Sequence, residues 1–363
     1  MKGLILSGGT GTRLRPLTHT SNKHLIPLAN KPMIFYAIET LREAGITDIG
    51  IIVGHTLQRV QEIKDAVGDG SRFGIKATYI EQDAARGLAH AVGVAKDFLT
   101  TNNPDKKFVV YLGDNILCGG IKKYVDYFST NDTNGLLLLK EVQKPERFGV
   151  VEINNGKIVS LVEKPKNPTS NLALVGIYLF NNSIFDSISK LKPSWRNEYE
   201  ITDAIQGLVD SGKKISYEIV DAPWWKDPGD REGIIEANRL LLHDLVPFNR
   251  GTIEEGANII GPVGIDEHTI IKKGSSIRGP VIIGKNSVIG ENSYIGPYTS
   301  IGDNCVIENT EIESSVLIGD SKINCGQRII DSLIGKNVTI VSAANSLPKA
   351  CQIFVGENSF IAL

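Results

Sequence analysis

The sequence predicts two parts that meet near residue 250: a mixed α/β fold on a mostly parallel sheet, then a parallel β-helix. Two observations predict it. Up to about residue 245, short apolar runs of strand length alternate with amphipathic helical stretches, the pattern of a sheet covered by helices on both faces. Beyond residue 250 an isoleucine returns every six residues, and a strict six-residue period is the mark of a stacked β-coil.

Taken in order, Leu4–Leu6, Asp48–Val53, Ala77–Ile80 and Phe108–Leu112 read as buried strands. Pro32–Ala44 reads as a helix, with Pro32 at its first position, Met33, Ala37 and Leu41 on one face, and Gly45 beyond its end. Leu57–Val67 and Leu88–Leu99 read as helices too. An antiparallel hairpin is expected at Val150–Ile153 and Ile158–Val162, turned by Asn154-Asn155-Gly156. In the second part, isoleucine stands at 253, 259, 265, 271, 277, 283, 289, 295, 301 and 307. Gly284, Gly290, Gly296 and Gly302 each follow one of them, and Ser287, Ser293, Thr299 and Cys305 keep one offset, where tight corners need little bulk. The register loosens after Ile307 and is expected to resume at Ile312, Ile318, Ile334 and Ile340.

Composition narrows the function. The chain has 363 residues, 41% hydrophobic and 22% charged, as in ordinary globular proteins. A net charge of −2 without a basic run argues against nucleic-acid and membrane-surface partners. The first apolar run, Leu4-Ile5-Leu6, breaks at once into Ser7-Gly8-Gly9, too short for a leader or a span, so a cytoplasmic protein is expected. Cys118, Cys305, Cys325 and Cys351 lie far apart in no metal-like spacing and read as reduced structural cysteines.

Chemistry concentrates where the first strand ends, in Leu6-Ser7-Gly8-Gly9-Thr10-Gly11-Thr12-Arg13-Leu14-Arg15-Pro16. Ligands of open α/β sheets bind at the carboxyl ends of strands. Glycines there let backbone N–H groups approach a polyphosphate, and the arginines add charge. No lysine completes a Walker loop, and Leu14 stands where a dinucleotide fingerprint needs glycine. Lys23 and Pro27 extend the pattern to GGxGTRLxPLTxxxxKxxxP. A second strand end carries Gly113-Asp114-Asn115, whose carboxylate faces the same crevice. Asp227, in Trp225-Lys226-Asp227-Pro228-Gly229, reads from bare sequence as a turn or a helix N-cap.

The long glycine–arginine–lysine pattern resembles the signature of the sugar-1-phosphate nucleotidylyltransferases, and the isoleucine ladder resembles the hexapeptide repeats of its long form. Together the resemblances cover nearly the whole chain. They imply a Rossmann-like nucleotidyltransferase domain over 1–245 and a left-handed parallel β-helix over 250–363. They further imply a catalytic set of Arg13, Lys23 and Lys164, and a nucleotide site of Leu6, Gly8, Gly9, Gly11, Thr12, Arg13, Gln82 and Gly87. The sugar-phosphate site implied is Gly149, Glu163, Lys164, Leu174 and Glu198, and Asp114 and Asp227 would together hold Mg²⁺. As bare sequence, Glu163-Lys164 is equally a solvated strand end. Asp203 is as good a structural cap as a ligand.

Gly-Asp-Asn at 113–115 and Gln82 before Gly87-Leu88-Ala89 resemble the glucose-1-phosphate thymidylyltransferase branch, which implies dTTP and glucose 1-phosphate as substrates. Phe148 where that branch has tyrosine, His90 for a second glutamine, and Leu174-Val175-Gly176 for Val-Thr-Gly are departures. They leave open UTP or an amino-sugar phosphate as substrate. A silent regulatory paralogue is the rival from another class; the charged set Arg13, Lys23, Asp114, Lys164 and Asp227 speaks against it. His268, early in the expected β-helix, is the one histidine after residue 250; with none in the later coils, general-base work for acyl transfer is hard to supply there. Assembly into a homo-oligomer is the expected role of the β-helix.

Overall fold

The computed structural model describes residues 1–54, 56–342, 355 and 357–361; Cys351 lies outside them. The chain forms two compact units. One comprises Met1–Thr10, Asn22–Leu25 and Met33–Asp227; the other comprises Gly11–Ser21, Ile26–Pro32 and Pro228–Leu363. Among the described residues no helix is long and apolar enough to cross a membrane.

The first unit is built on a nine-stranded sheet. Lys2–Leu6 lies between Lys107–Leu112 and Asp48–Val53, parallel to both, and Lys76–Glu81 pairs parallel with the latter. Alternate residues of these strands enter two different cores, Ile5, Ile51, Val109 and Tyr111 in one, Leu4, Leu6, Ile52 and Val110 in the other. Burial on both faces is why the strands are continuously apolar. Leu172–Asn181 runs antiparallel beside Lys107–Leu112 and connects the sheet to the hairpin Gly149–Asn154 and Lys157–Glu163. The hairpin turn is Asn155-Gly156, at φ 50° and 72°, the left-handed pair that matches strand twist. Two expected helices differ from expectation. Met33–Glu43 begins one residue late because Pro32 belongs to the two-residue strand Lys31–Pro32, paired with Pro27–Leu28. The expected helix Leu88–Leu99 is two helices, Leu88–Val94 and Lys96–Thr100, broken at Ala95.

In the second unit successive coils supply strands in turn to three parallel sheets, of six, six and five strands among the described residues. Residues 18 apart stack, so that Ile271, Ile289 and Ile307 form one column and Ile277 and Ile295 another. Ile265, Ile271, Ile277, Ile283, Ile289, Ile295, Ile301 and Ile307 are at most 2% exposed. Ile253, at 40%, is exposed in the first coil. Asn286, Asn292, Tyr298 and Asn304 turn corners at φ 53–62°, a region asparagine tolerates through local hydrogen bonding. The small offset residues point inward: Ser287 is fully buried, donates to the Gly302 carbonyl at 3.0 Å and accepts from the Cys305 N–H at 3.0 Å. A Cβ on Gly302 would stand 2.2 Å from the Ile318 carbonyl oxygen, so the glycines let coils stack at strand spacing.

The expected resumption at Ile318 is overturned. Ile301 stacks on Leu317, which is fully buried, while Ile318 is half-buried. Some corners after Ile307 are one residue shorter, so inward positions fall at Ile312, Leu317, Ile323, Ile329, Ile334 and Ile340. The helix Arg231–His243 belongs to this unit, and its buried Asn238 joins three segments. Asn238 Oδ1 accepts from the Ala29 N–H at 2.8 Å and the Ser300 hydroxyl at 2.7 Å, while Nδ2 donates to the Tyr298 carbonyl at 3.1 Å. Asn30 donates to the Ile301 carbonyl at 2.7 Å, and Leu17 fills the space above Gly335.

Candidate active site

Within the first unit the strand ends of Lys2–Leu6 and Lys107–Leu112 lie side by side, with Leu6 opposite Leu112. This neighbouring register brings Ser7-Gly8-Gly9 beside Gly113-Asp114. Gly9 stands over the Lys23 side chain, where a Cβ would be 3.6 Å from its Cε. Lys23 Nζ is ion-paired with Asp114 Oδ2, and both side chains are largely buried. Burial is the largest influence and works to raise the Asp114 carboxyl, but the Lys23 charge, the Lys23 hydrogen bond and smaller neighbouring interactions together hold the group below the ordinary carboxylate range. A pair held largely out of solvent is costly to break unless each charge meets a new partner.

His24, which the sequence reading passed over, is packed between these strand ends. Its Nδ1 lies 2.8 Å from Asn22 Oδ1, and its ring meets the Cα of Gly113, where a Cβ would stand 3.3 Å from Cδ2. Burial first, then the Lys23 charge, lower it to about 3. A neutral ring here spaces Lys23 without adding charge. Nothing in its sequence position distinguished it.

Gln82, 5% exposed, follows Lys76–Glu81, and its Oε1 would lie 2.7 Å from a Cβ on Gly8. Gly87 has φ 101°, and a Cβ there would stand 2.5 Å from the Tyr199 carbonyl oxygen. Tyr199 N–H donates to Arg86 O at 2.7 Å, and Ala89 N–H to Tyr199 O at 3.0 Å. The glycine therefore serves a backbone splice between these two segments.

The hairpin end gathers the sugar-side candidates. Glu163 Oε1 lies 3.3 Å from Lys164 Nζ and 3.7 Å from Arg196 Nη1. Arg196 also meets Glu198 at 3.3 Å and the buried Glu200 at 3.4 Å. It is a hub for three glutamates, which only folding reveals, since one of them is distant in sequence. Burial pushes the Glu163 carboxyl up, against the pull of Lys164. A Cβ on Gly149 would meet Thr202 at 2.7 Å, Leu174 at 2.9 Å and Glu163 Oε2 at 3.1 Å, so this glycine makes room for protein side chains. Leu174 opens a bulge in Leu172–Asn181, where the buried Asn115 donates to the Val175 carbonyl. Phe148 packs on Trp225, centroids 5.2 Å apart. Asp203 sits in the first turn of Ile201–Asp210, whose N-cap position is Glu200.

Asp227 is half-buried. The N-cap alternative for it fails, because Asp230 caps Arg231–His243, accepting from the Gly233 N–H at 2.9 Å. The buried Tyr178 hydroxyl is pushed up by burial and then by Glu163 and Asp227, so both carboxylates act on one side chain. Asp114 and Asp227 are hard oxygen donors at strand ends. Among the described residues no group of three or more His, Cys, Asp or Glu forms a metal cage. Mg²⁺ is ordinarily held by one or two carboxylates completed by phosphate oxygens and water, and each of these two side chains is a donor of that type.

Gly11, Thr12 and Arg13 belong to the second unit. Gly11 takes φ 66° before the short turn Thr12–Leu14, and Thr18 donates to its carbonyl at 2.6 Å. Arg13 is exposed, and its guanidinium lies over Gly229, where a Cβ would stand 3.0 Å from Nη2.

Glycine-lined strand ends with a buried ammonium–carboxylate pair define a phosphate-handling α/β enzyme, and the chain belongs to the nucleotidyl transferase family, whose model matches residues 2–244. The model of the GMPPB C-terminal domain matches residues 277–348. The chain is 49% identical over its whole length, and that of the relative, to the low-salt glycan biosynthesis nucleotidyltransferase Agl11 of Haloferax volcanii. It is 45% identical to a glucose-1-phosphate thymidylyltransferase of Streptomyces antibioticus, covering 100% of this chain and 99% of that one. A crystal structure from Bacillus anthracis described as a glucose-1-phosphate thymidylyltransferase, solved with sucrose, superposes at TM-score 0.62 and 41% identity. It covers 69% of this chain and 97% of that one.

Proposed function

We propose that the protein condenses dTTP with glucose 1-phosphate to give dTDP-glucose and pyrophosphate, with Mg²⁺ as cofactor. The observation that carries this reading is the buried Lys23–Asp114 pair beside Gly8 and Gly9 at neighbouring strand ends. The full-length likeness to a thymidylyltransferase supports the choice of substrates.

In the reaction a phosphate oxygen of glucose 1-phosphate attacks the α-phosphorus of dTTP. A new P–O bond forms, and the bond to the bridging oxygen breaks, its electron pair leaving on pyrophosphate. No proton need move at the attacking oxygen, so catalysis rests on positioning and charge. Lys23 exchanges Asp114 for phosphate oxygens, and Arg13 adds a second positive charge to the leaving pyrophosphate. Leu6, Gly8, Gly9, Gly11 and Thr12 line the triphosphate, with Gln82 and Gly87 at the base. Lys164 holds the sugar phosphate, while Glu163 and Glu198 accept from sugar hydroxyls beside Gly149 and Leu174. Asp114 and Asp227 would hold Mg²⁺, which when bound supplies polarisation of the α-phosphate. The coiled unit reads as a left-handed β-helix that assembles the protein into a homo-oligomer.

The test is pyrophosphate release with Mg²⁺ and glucose 1-phosphate, offering dTTP, UTP, GTP, ATP and CTP separately. Turnover fastest with dTTP supports the proposal. Preference for another nucleotide overturns the base assignment. Silence with glucose, galactose, mannose and N-acetylglucosamine 1-phosphates overturns the reaction. Asp114→Asn is expected to lower Mg²⁺-dependent turnover by several kcal/mol of barrier, roughly a thousandfold, with the far-ultraviolet circular dichroism unchanged.

A further inference from the structure

We infer that His90 decides which bases the nucleotide site accepts, by fixing the Gln82 amide with its oxygen toward the ligand. The inference rests on the reading of Gln82 as the residue that meets the base.

The Gln82 amide is held from both sides. Nε2 lies 3.1 Å from His90 Nδ1 and 3.5 Å from the Gly87 carbonyl oxygen. Rotating the amide by half a turn would set Oε1 against that carbonyl, two acceptors facing each other in a buried place. The histidine is held in turn. His90 Nε2 stands 3.3 Å from Asp83 Oδ1, and Arg86 pairs with the other Asp83 oxygen at 3.2 Å. A carboxylate at Nε2 keeps the ring proton there and leaves the Nδ1 lone pair to accept from Gln82. The ring lies alongside Tyr199, centroids 6.3 Å apart and planes 29° from parallel. Both amide hydrogens are thus directed at protein acceptors. Oε1 has no hydrogen-bond partner among the described residues and is directed over Gly8, at the mouth of the phosphate loop.

A site that offers only an acceptor selects for a ring N–H. Thymine and uracil carry one at N3, where cytosine carries a lone pair. The arrangement therefore admits imide bases and opposes cytosine, and a site built around one hydrogen bond rejects analogues that leave its buried group unpaired. His90 touches neither base nor phosphate in this account. It is a positioning residue acting through Gln82.

The experiment uses the full-length protein with Mg²⁺ and glucose 1-phosphate, and measures kcat and KM for UTP, CTP and 3-methyluridine triphosphate in wild type, His90→Leu, His90→Gln, His90→Lys and Gln82→Ala. Wild type is expected to favour UTP over both others by about a hundredfold in kcat/KM. His90→Leu frees the amide to rotate, and the UTP-to-CTP ratio falls about tenfold or more, through KM with kcat little changed. His90→Gln can turn its own oxygen to Gln82 and restores the ratio. His90→Lys offers only donors, turns the Gln82 amide round, and moves preference toward CTP. A wild-type ratio in His90→Leu, alongside a lost ratio in Gln82→Ala, overturns the inference and leaves the base reading standing. An unchanged ratio in Gln82→Ala overturns the base reading itself. Equal loss on all three nucleotides in every His90 variant also overturns the inference, since only a structural role would do that.

Discussion

Replacing Asn238 by alanine tests how the second unit holds its segments together. The side chain is 1% exposed and makes three hydrogen bonds, at 2.8, 2.7 and 3.1 Å, to Ala29, Ser300 and Tyr298. Its removal strands the Ala29 N–H, the Ser300 hydroxyl and the Tyr298 carbonyl, and each buried unpaired group costs about 1–3 kcal/mol. Rotation of the serine and entry of water recover part of that, leaving a loss of about 3–5 kcal/mol. For a unit of this size such a loss lowers the melting temperature by about 10 °C. Urea unfolding of the full chain, followed by circular dichroism, gives the free energy. Ser300→Ala removes one donor and leaves the Asn238–Ala29 bond intact, so it is expected to cost about 1 kcal/mol. The double variant should cost less than the sum of the two, because the residues share a hydrogen bond. A loss under about 1 kcal/mol for Asn238→Ala would refute the view that this amide ties Ala29 to the coils.

Three further outcomes are expected. Asp230→Ala removes the side-chain cap on the Gly233 N–H and should cost about 1 kcal/mol in urea unfolding; Asp227→Ala, which leaves that cap in place, should abolish turnover instead. Ile289→Ala empties a fully buried position in the isoleucine ladder and should cost about 2–5 kcal/mol, read as an earlier thermal transition. His24 is held neutral in the fold, down to about 3 from its ordinary 6.5, so below pH 6.5 the unfolded chain binds the extra proton and stability falls with pH through that window. From pH 6.5 to 5 the loss is about 2 kcal/mol. Unfolding free energies from urea titrations at pH 7 and 5 should differ less by about that amount in His24→Gln, and an equal difference in both proteins would contradict the assignment.

Much of the molecule is legible in its sequence because the relevant forces are local or periodic. The coils repeat since each inward isoleucine stacks on the next at a fixed spacing, so burial writes itself into the chain as a six-residue period. Strand ends followed by Gly8-Gly9 and Gly113-Asp114 mark the candidate site because a parallel sheet turns strand ends toward one edge. The period failed where corners shortened: losing one residue moves the inward position to Leu317, and an apolar run such as Val316-Leu317-Ile318 does not say which member turns inward.

Tertiary structure alone decided which partners meet across long separations. Lys23 and Asp114 are 91 residues apart, Asn238 and Ala29 are 209 apart, and Arg196 reaches Glu163 from a different segment. The sequence determined that a carboxylate, an ammonium and a glycine loop were available. Folding decided that Asp230 and not Asp227 caps the last helix, that His24 lies neutral behind the pair, and that His90 grips Gln82. Those choices depend on desolvation and on hydrogen-bond geometry, which exist only once distant segments have excluded water from one another.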